Sequence, residues 1–356
     1  MKSLWYRDLY KIGSLAGAQA VAVRVTLAVG VPLVGGVLIG HPAAAVAGGA
    51  TALFVTMSDI GTTTEARLGT MFCGWLAIAC GATLGHALDT TPYGREAVVL
   101  LCALVAGWAS GSYPAIATIT RFLAVAAAAG TGMRLTDPDV LTSIAVGGAT
   151  AFVATLLVWR SFAISRTDNL MDWRAAVMRA FAGTDAGPRF TVCYAAAAAV
   201  ALFAATWFGV QDPYWATLVV LMVMRREGIA SLELTIHYAA GTVIGVVVAA
   251  GILHWIEQPL ALAVLATLAA AFARVGLAIN PSLGYMAFSM FLLFVVHLIM
   301  VSAGKTPHLF GARIYDVTVG CVLALAGTLA AIYPRFPGAP QRVADAGANS
   351  AANPPE

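Results

Sequence analysis

Apolar runs close to membrane-crossing length, cut apart by Gly, Pro or charge, follow one another from about residue 18 to residue 333. About 20 apolar residues in a helix cover the roughly 30 Å hydrocarbon layer of a bilayer, so a chain built from such runs has almost no soluble face to present. Composition agrees: 60% of the residues are hydrophobic and 10% are charged, where soluble domains carry roughly 25% charged residues. The polar alternation of a transmembrane β-barrel is absent. The expected fold class is all-α, a polytopic membrane protein of about twelve transmembrane helices in the lipid bilayer. A net charge of +3 spread over the loops gives no surface for nucleic acid.

The spans are read near 18–40, 43–57, 68–88, 97–112, 114–135, 140–159, 190–210, 213–224, 236–255, 259–279, 282–302 and 311–333. A duplication organises them. Asp212-Pro213-Tyr214-Trp215 opens a short apolar run that ends at Met224, the loop Arg225-Arg226-Glu227 follows, and Gly241-Thr242 begins the next run. Earlier, Pro42 opens a short run, a loop holds Asp59, Glu65 and Arg67, and Gly69-Thr70 begins the next. The spacings from Pro to Gly differ by one residue. Residues 1–13 and 160–189 each read as an interfacial amphipathic helix preceding a six-helix unit, Trp5 standing as far before Arg24 as Leu170 before Arg189. The expected organisation is a first six-helix repeat over 1–165, a second over 166–333, and a disordered cytoplasmic tail over 334–356, which is rich in Pro, Ala, Gly and Asn.

Twelve spans put both termini on one side. With that side cytoplasmic, only Arg95, Arg134, Lys305 and Arg313 of the 20 Lys and Arg lie outside, the asymmetry that sets membrane orientation. Six spans per repeat is even, so the repeats are expected to share one orientation, related by an axis along the membrane normal.

No catalytic motif is present: no P-loop, HExxH or GxSxG, and Gly35 to Gly40 lies inside a span rather than after a strand. The chain is not expected to be an enzyme. The five cysteines all sit in apolar runs with no CxxC pair and no nearby His at metal spacing, which predicts apolar packing, no metal and no cofactor. The feature that points to chemistry is the pair of short second spans at matching places, since short or broken spans at membrane depth survive where they line a cavity. The alternative is that each helix simply runs on past its first charge. Beside the short spans stand Glu65 and Arg67, and then Arg225, Arg226, Glu227 and His237. Arg121 lies about 10 Å of helix past the Pro114 turn at 1.5 Å per residue, and Arg274 lies one turn from the end of its span. If they converge, Arg67, Arg121, Arg225 and Arg274 form a cytoplasmic vestibule for an organic anion, with Tyr214 and Trp215 as aromatic surface. If they do not, Arg67 and Arg274 are interface anchors and the aromatics belong to the membrane belt. Glu65, His237 and His297 are the candidates for carrying a coupled proton, although a lone histidine such as His297 is also accommodated as a packed core residue.

The tandem six-helix unit, the Pro213-Tyr214-Trp215 entry, the Arg67-x-Gly69-Thr70 and Gly241-Thr242-x-x-Gly245 helix starts and the Arg274…Gly284-Tyr285 break resemble the FUSC family of fusaric acid resistance and aromatic acid exporter-like proteins, over roughly residues 15 to 335. The resemblance implies a bacterial inner-membrane exporter of small organic anions, aromatic carboxylic acids above all, working alongside a periplasmic adaptor protein. Three positions depart from the pattern: Ala239 stands where Arg67 stands in the first unit, Ala43-Ala44 replaces Tyr-Trp, and the link between units is short. A passive organic-anion channel and a non-transporting membrane scaffold are the alternative readings.

Overall fold

The computed structural model describes residues 17–60, 64–91, 93–132, 137–161, 178, 187–207, 214–226, 228–304 and 309–332. The interfacial segment at 1–13, most of the 160–189 link and the 334–356 tail lie outside the described residues. Twelve helices form the described fold, with no strand among the described residues. In chain order they are α1 (Ala18–Leu38), α2 (Pro42–Met57), α3 (Thr64–Leu88), α4 (Gly94–Ala109), α5 (Pro114–Gly130), α6 (Asp137–Ser161), α7 (Pro188–Trp207), α8 (Tyr214–Val223), α9 (Gly228–Leu253), α10 (Pro259–Ile279), α11 (Pro281–Ser302) and α12 (Leu309–Ile332).

Five helices begin on proline: Pro42, Pro114, Pro188, Pro259 and Pro281. A first-turn proline forfeits only an N–H that has no partner inside the helix, and its fixed φ suits the start. At the sharpest of these starts, α10 ends on Asn280 in extended backbone (φ −154°, ψ 126°), and the Asn280 side chain accepts from the Ser282 N–H at 2.9 Å to cap α11.

Seven helices (α1, α3, α6 and α9 to α12) are long and apolar enough to cross a membrane. Their outward faces carry large apolar side chains in the open, such as Val247 at 66%, Leu329 at 62% and Leu101 on α4 at 61% exposure. Hydrocarbon on the outside of a bundle is what a bilayer solvates. The protein is a multi-pass membrane protein by this measure. α2 and α5 are shorter, and α8 is shortest at 10 residues, about 15 Å at 1.5 Å per residue.

The neighbours of each helix recur along the chain. In the first half α1 packs on α2 and α6, α2 on α6, α3 on α5, and α4 on α5; in the second, α7 packs on α8 and α12, α8 on α12, α9 on α11, and α10 on α11. Contacts between the halves pair off in the same way, α1 with α10 against α7 with α4, and α2 with α11 against α8 with α5. The buried core does not divide at the mid-chain link. One cluster joins α1, α2, α3 and α6 to α9, α10 and α11, and a second joins α4 and α5 to α7, α8 and α12. The first half thus lends its fourth and fifth helices to the second, and the second lends its third to fifth helices to the first.

Small residues let these helices approach. Gly81 and Gly85 of α3 lie on the α5 backbone at Leu123 and Ala127, and Gly241 and Gly245 of α9 lie on α11 at Ser282 and Met286. Gly107 sets α4 against Thr191 of α7. The Gly36 and Gly40 pair behaves differently: Gly36 meets Ala45 of α2, whereas Gly40 takes φ +83° in the turn and touches nothing within 4 Å, a backbone that glycine adopts without strain.

Candidate functional site

The short second helix of each half ends in a charged loop, and in both the next helix ties that loop down with a hydroxyl. After α2, Thr70 of α3 accepts from the Ile60 N–H at 3.2 Å and donates to the Arg67 carbonyl at 2.9 Å. After α8, Ser231 of α9 accepts from the Arg225 N–H at 3.3 Å and shares a 2.8 Å hydrogen bond with Thr328 of α12. The two loops hold opposite charges near the end of the preceding helix. Asp59 stands two residues after Met57, and Arg225 two after Val223.

Asp59 gathers cations. Arg67 Nε donates to Asp59 Oδ1 at 2.7 Å and Nη2 donates to Oδ2 at 2.6 Å, a bidentate fork. Arg24, six residues into α1, donates through Nη1 to Asp59 Oδ2. The Asp59 side chain is 3% exposed and those of Arg24 and Arg67 are 6% and 22%. Burial acts to raise the Asp59 carboxyl, but the hydrogen bonds from Arg67 and the charges of Arg24 and Arg67 outweigh it and hold it below the usual carboxylate range. Arg274 of α10 stands within electrostatic reach of Arg24, Asp59 and Arg67, and its Nε is buried with no hydrogen-bond partner among the described residues. Two guanidinium groups therefore hold one carboxylate, with a third within electrostatic reach. Arg67 also lines a shallow surface depression with Thr64, Leu68 and Thr155.

A second group assembles around tyrosines. Arg121 of α5 and Arg225 both lie within electrostatic reach of Tyr194 of α7 and Tyr285 of α11. Tyr194 is 2% exposed and its hydroxyl donates to the Leu221 carbonyl at 2.8 Å. Tyr285 is 7% exposed and its ring meets that of Tyr238 with centroids 4.8 Å apart. Arg121 comes from the first half of the chain, and Arg225, Tyr194 and Tyr285 from the second.

Of the four arginines singled out in the sequence, Arg67 is bonded to Asp59 with Arg274 within electrostatic reach of it, and Arg121 and Arg225 both lie within reach of Tyr194 and Tyr285. Tyr214 and Trp215 stand apart from both pairs. Their rings are 5.0 Å apart at the start of α8, ten residues from Arg225; Tyr214 covers Gly132, and Trp215 lies under the guanidinium of Arg313 at 5.2 Å. Of the candidates for proton coupling, Glu65 is exposed on the first turn of α3. His237 is buried, its Nδ1 sharing a 2.6 Å hydrogen bond with Ser282 Oγ. His297 is 6% exposed with no hydrogen-bond partner on either ring nitrogen. Among the described residues no group of three His, Cys, Asp or Glu side chains is placed to hold a metal ion.

The sequence reading gave no site role to Arg24, Asp59, Tyr194, Tyr238, Tyr285 or Arg313. The signal for the first pair was an arginine inside an apolar run matched by a single acid in the next loop on the same side. For the tyrosines it was their helical depth, each within three turns of the charged ends.

Residues 199–327, from late α7 to late α12, match the fusaric acid resistance protein-like family. The match covers about a third of the chain. The matched segment contains Tyr214, Trp215, Arg225, His237, Arg274, Tyr285, His297 and Arg313. No curated protein and no solved structure matches the chain.

Proposed function

We propose that this FUSC-family membrane protein is a transporter that exports small organic anions, aromatic carboxylic acids foremost, across the bacterial inner membrane. The observation that carries the reading is that Arg121 from the first half and Arg225 from the second both lie within electrostatic reach of the buried Tyr194 and Tyr285. Guanidinium groups are expensive to hold at membrane depth, and their planar forks match a carboxylate. Tyrosines beside them give an aromatic acid an apolar ring face and a polar edge at once. Arg274, with its buried Nε, supplies a further cation on the same reading.

The membrane arrangement belongs to the same proposal. Twelve helices cross as two six-helix repeats in one orientation, with both termini cytoplasmic, and the recurring set of helix neighbours supports the duplication. The two arginine groups then lie at the cytoplasmic ends of their helices, where a substrate leaving the cell is captured. A periplasmic adaptor protein completes the path outward.

Export of a panel of aromatic acids from cells with the protein, without it and with Arg121→Ala tests this reading. Faster loss of at least one acid with the native protein, abolished by Arg121→Ala, is expected; identical efflux in all three strains overturns it. Currents that reverse at the anion equilibrium potential and ignore the proton gradient would instead make the protein a channel. A scaffold role is the second reading, and the observation in its favour is the Asp59 cluster, which clasps α1 to α3 with no substrate involved.

A further inference from the structure

Arg313, expected from the sequence on the outer side together with Arg95, Arg134 and Lys305, is buried at 6% exposure. It sits near the start of α12, its Nη2 donates to the Tyr238 hydroxyl at 3.2 Å, its guanidinium lies 5.2 Å from the Trp215 ring centroid, and its Nε has no hydrogen-bond partner among the described residues. Trp215 is the second residue of α8, and Arg225 lies two residues past its last, Val223. The ten residue steps from one to the other cover about 15 Å, half of the roughly 30 Å hydrocarbon layer. A guanidinium therefore stands near each end of α8. Tyr238 and Tyr285 join those ends: Tyr238 is bonded to Arg313, its ring meets Tyr285 at 4.8 Å, and Tyr285 is within reach of Arg225 and Arg121.

We propose that Arg313, Tyr238 and Trp215 form a second station for an aromatic carboxylate, which a substrate reaches from the Arg121 and Arg225 group by passing along α8 over the tyrosine pair. The inference rests on the export reading and names the step after capture. At this station Arg313 receives the carboxylate through Nε and Nη, the fork that Arg presents to carboxylates, while the substrate ring meets Trp215. Asp316 stands one turn further along α12 and is 2% exposed, on the helix face it shares with Arg313. Its negative charge weakens the hold on an incoming anion, which suits a site from which substrate must leave.

The test uses 4-fluorobenzoate and the full-length protein in lipid nanodiscs, followed by fluorine NMR together with efflux from proteoliposomes. The native protein is expected to show two bound environments. Arg313→Gln should remove one of them, leave the other, and slow efflux ~10-fold or more, the loss that accompanies removal of a charged hydrogen bond. Trp215→Leu, which leaves the charges in place, should keep two bound environments but abolish the ring-current shift of the one that Arg313→Gln removes. A single environment abolished by Arg121→Ala, or two environments unchanged by Arg313→Gln and Trp215→Leu, overturns the second station and leaves the export reading standing. No binding and no efflux for the native protein overturns the export reading itself, and the station with it.

Discussion

Arg67 holds Asp59 through both of its carboxylate oxygens, at 2.7 and 2.6 Å, while Arg24 approaches the same carboxylate from α1. The loop after α2 is thereby clamped to α1 and α3 at once. Removing one partner of a buried pair costs about 3 to 5 kcal/mol because the other charge remains without compensation. Asp59→Asn leaves two guanidinium groups facing each other with Arg274 nearby, so it should destabilise by about that much. A lowered midpoint of thermal unfolding in detergent, larger than for Arg67→Lys, is the expected measurement. An unchanged midpoint would mean that the cluster does not hold the loop.

Acidity tests the same clamp. Asp59 lies in the connection between α2 and α3, and its carboxyl is held below the usual range when folded. A group lowered on folding contributes stability that is fully present above its unfolded value, about 3.9, and is lost as pH falls through the lower folded value. This contribution should therefore be constant from neutral pH down to about 4 and disappear below. The difference in unfolding midpoint between native protein and Asp59→Asn, measured from pH 7 downward, should narrow only in that acid window.

Helix limits were legible because Pro and Gly mark them: the spans read at 259–279 and 282–302 are α10 at 259–279 and α11 at 281–302. The partners of the charges were not, since nothing local to Arg24 distinguishes a side chain that reaches for the interface from one that turns inward to an aspartate 35 residues away. The place of Trp215 was lost for a different reason. Reading Asp212 to Glu227 as one charged neighbourhood ignores the helix between its ends, and α8 separates Trp215 from Arg225 by about 15 Å. Trp215 consequently meets Arg313 of its own half.

Arg225 and Arg226 are adjacent and equally charged, so they separate placement from charge. Arg225 is within reach of the buried Tyr194 and Tyr285, whereas Arg226 is exposed. Losing a charged hydrogen bond to substrate costs about 1.5 to 3 kcal/mol, or ~10- to 100-fold in affinity. A solvated surface charge contributes about 0 to 1 kcal/mol. Arg225→Gln should raise the benzoate dissociation constant by that larger factor and Arg226→Gln by little. Equal effects in a direct binding measurement would make the contribution one of general charge and not of a site.

Gly241 and Gly251 lie on the same helix with opposite surroundings. A methyl group on Gly241 would run into the Ser282 carbonyl and the Met286 N–H of α11, while nothing lies within 4 Å of one on Gly251. Overfilling a packed contact costs about 1 to 3 kcal/mol, and replacing a mid-helix Gly by Ala where space allows gains up to about 1 kcal/mol. Gly241→Ala should lower the unfolding midpoint and Gly251→Ala should hold or raise it. The pair tests directly whether α9 and α11 are in backbone contact.

His237 and His297 are both buried, and the distinction between them is what their ring nitrogens touch. His237 shares a 2.6 Å hydrogen bond with Ser282, next to the Asn280 cap that starts α11. His297 has none, and it lies among the apolar side chains of α11. An unsatisfied buried polar group costs about 1 to 3 kcal/mol, and an apolar replacement of similar size removes that cost. His297→Leu should therefore raise the unfolding midpoint, while His237→Leu, which strips Ser282 of its partner, should lower it. Efflux across a pH gradient completes the comparison. If His297 carries the coupled proton, His297→Leu gains stability but loses the dependence of efflux on the gradient, because the group that binds the proton is gone. If it is only a packed core residue, the stability gain comes with the gradient dependence intact.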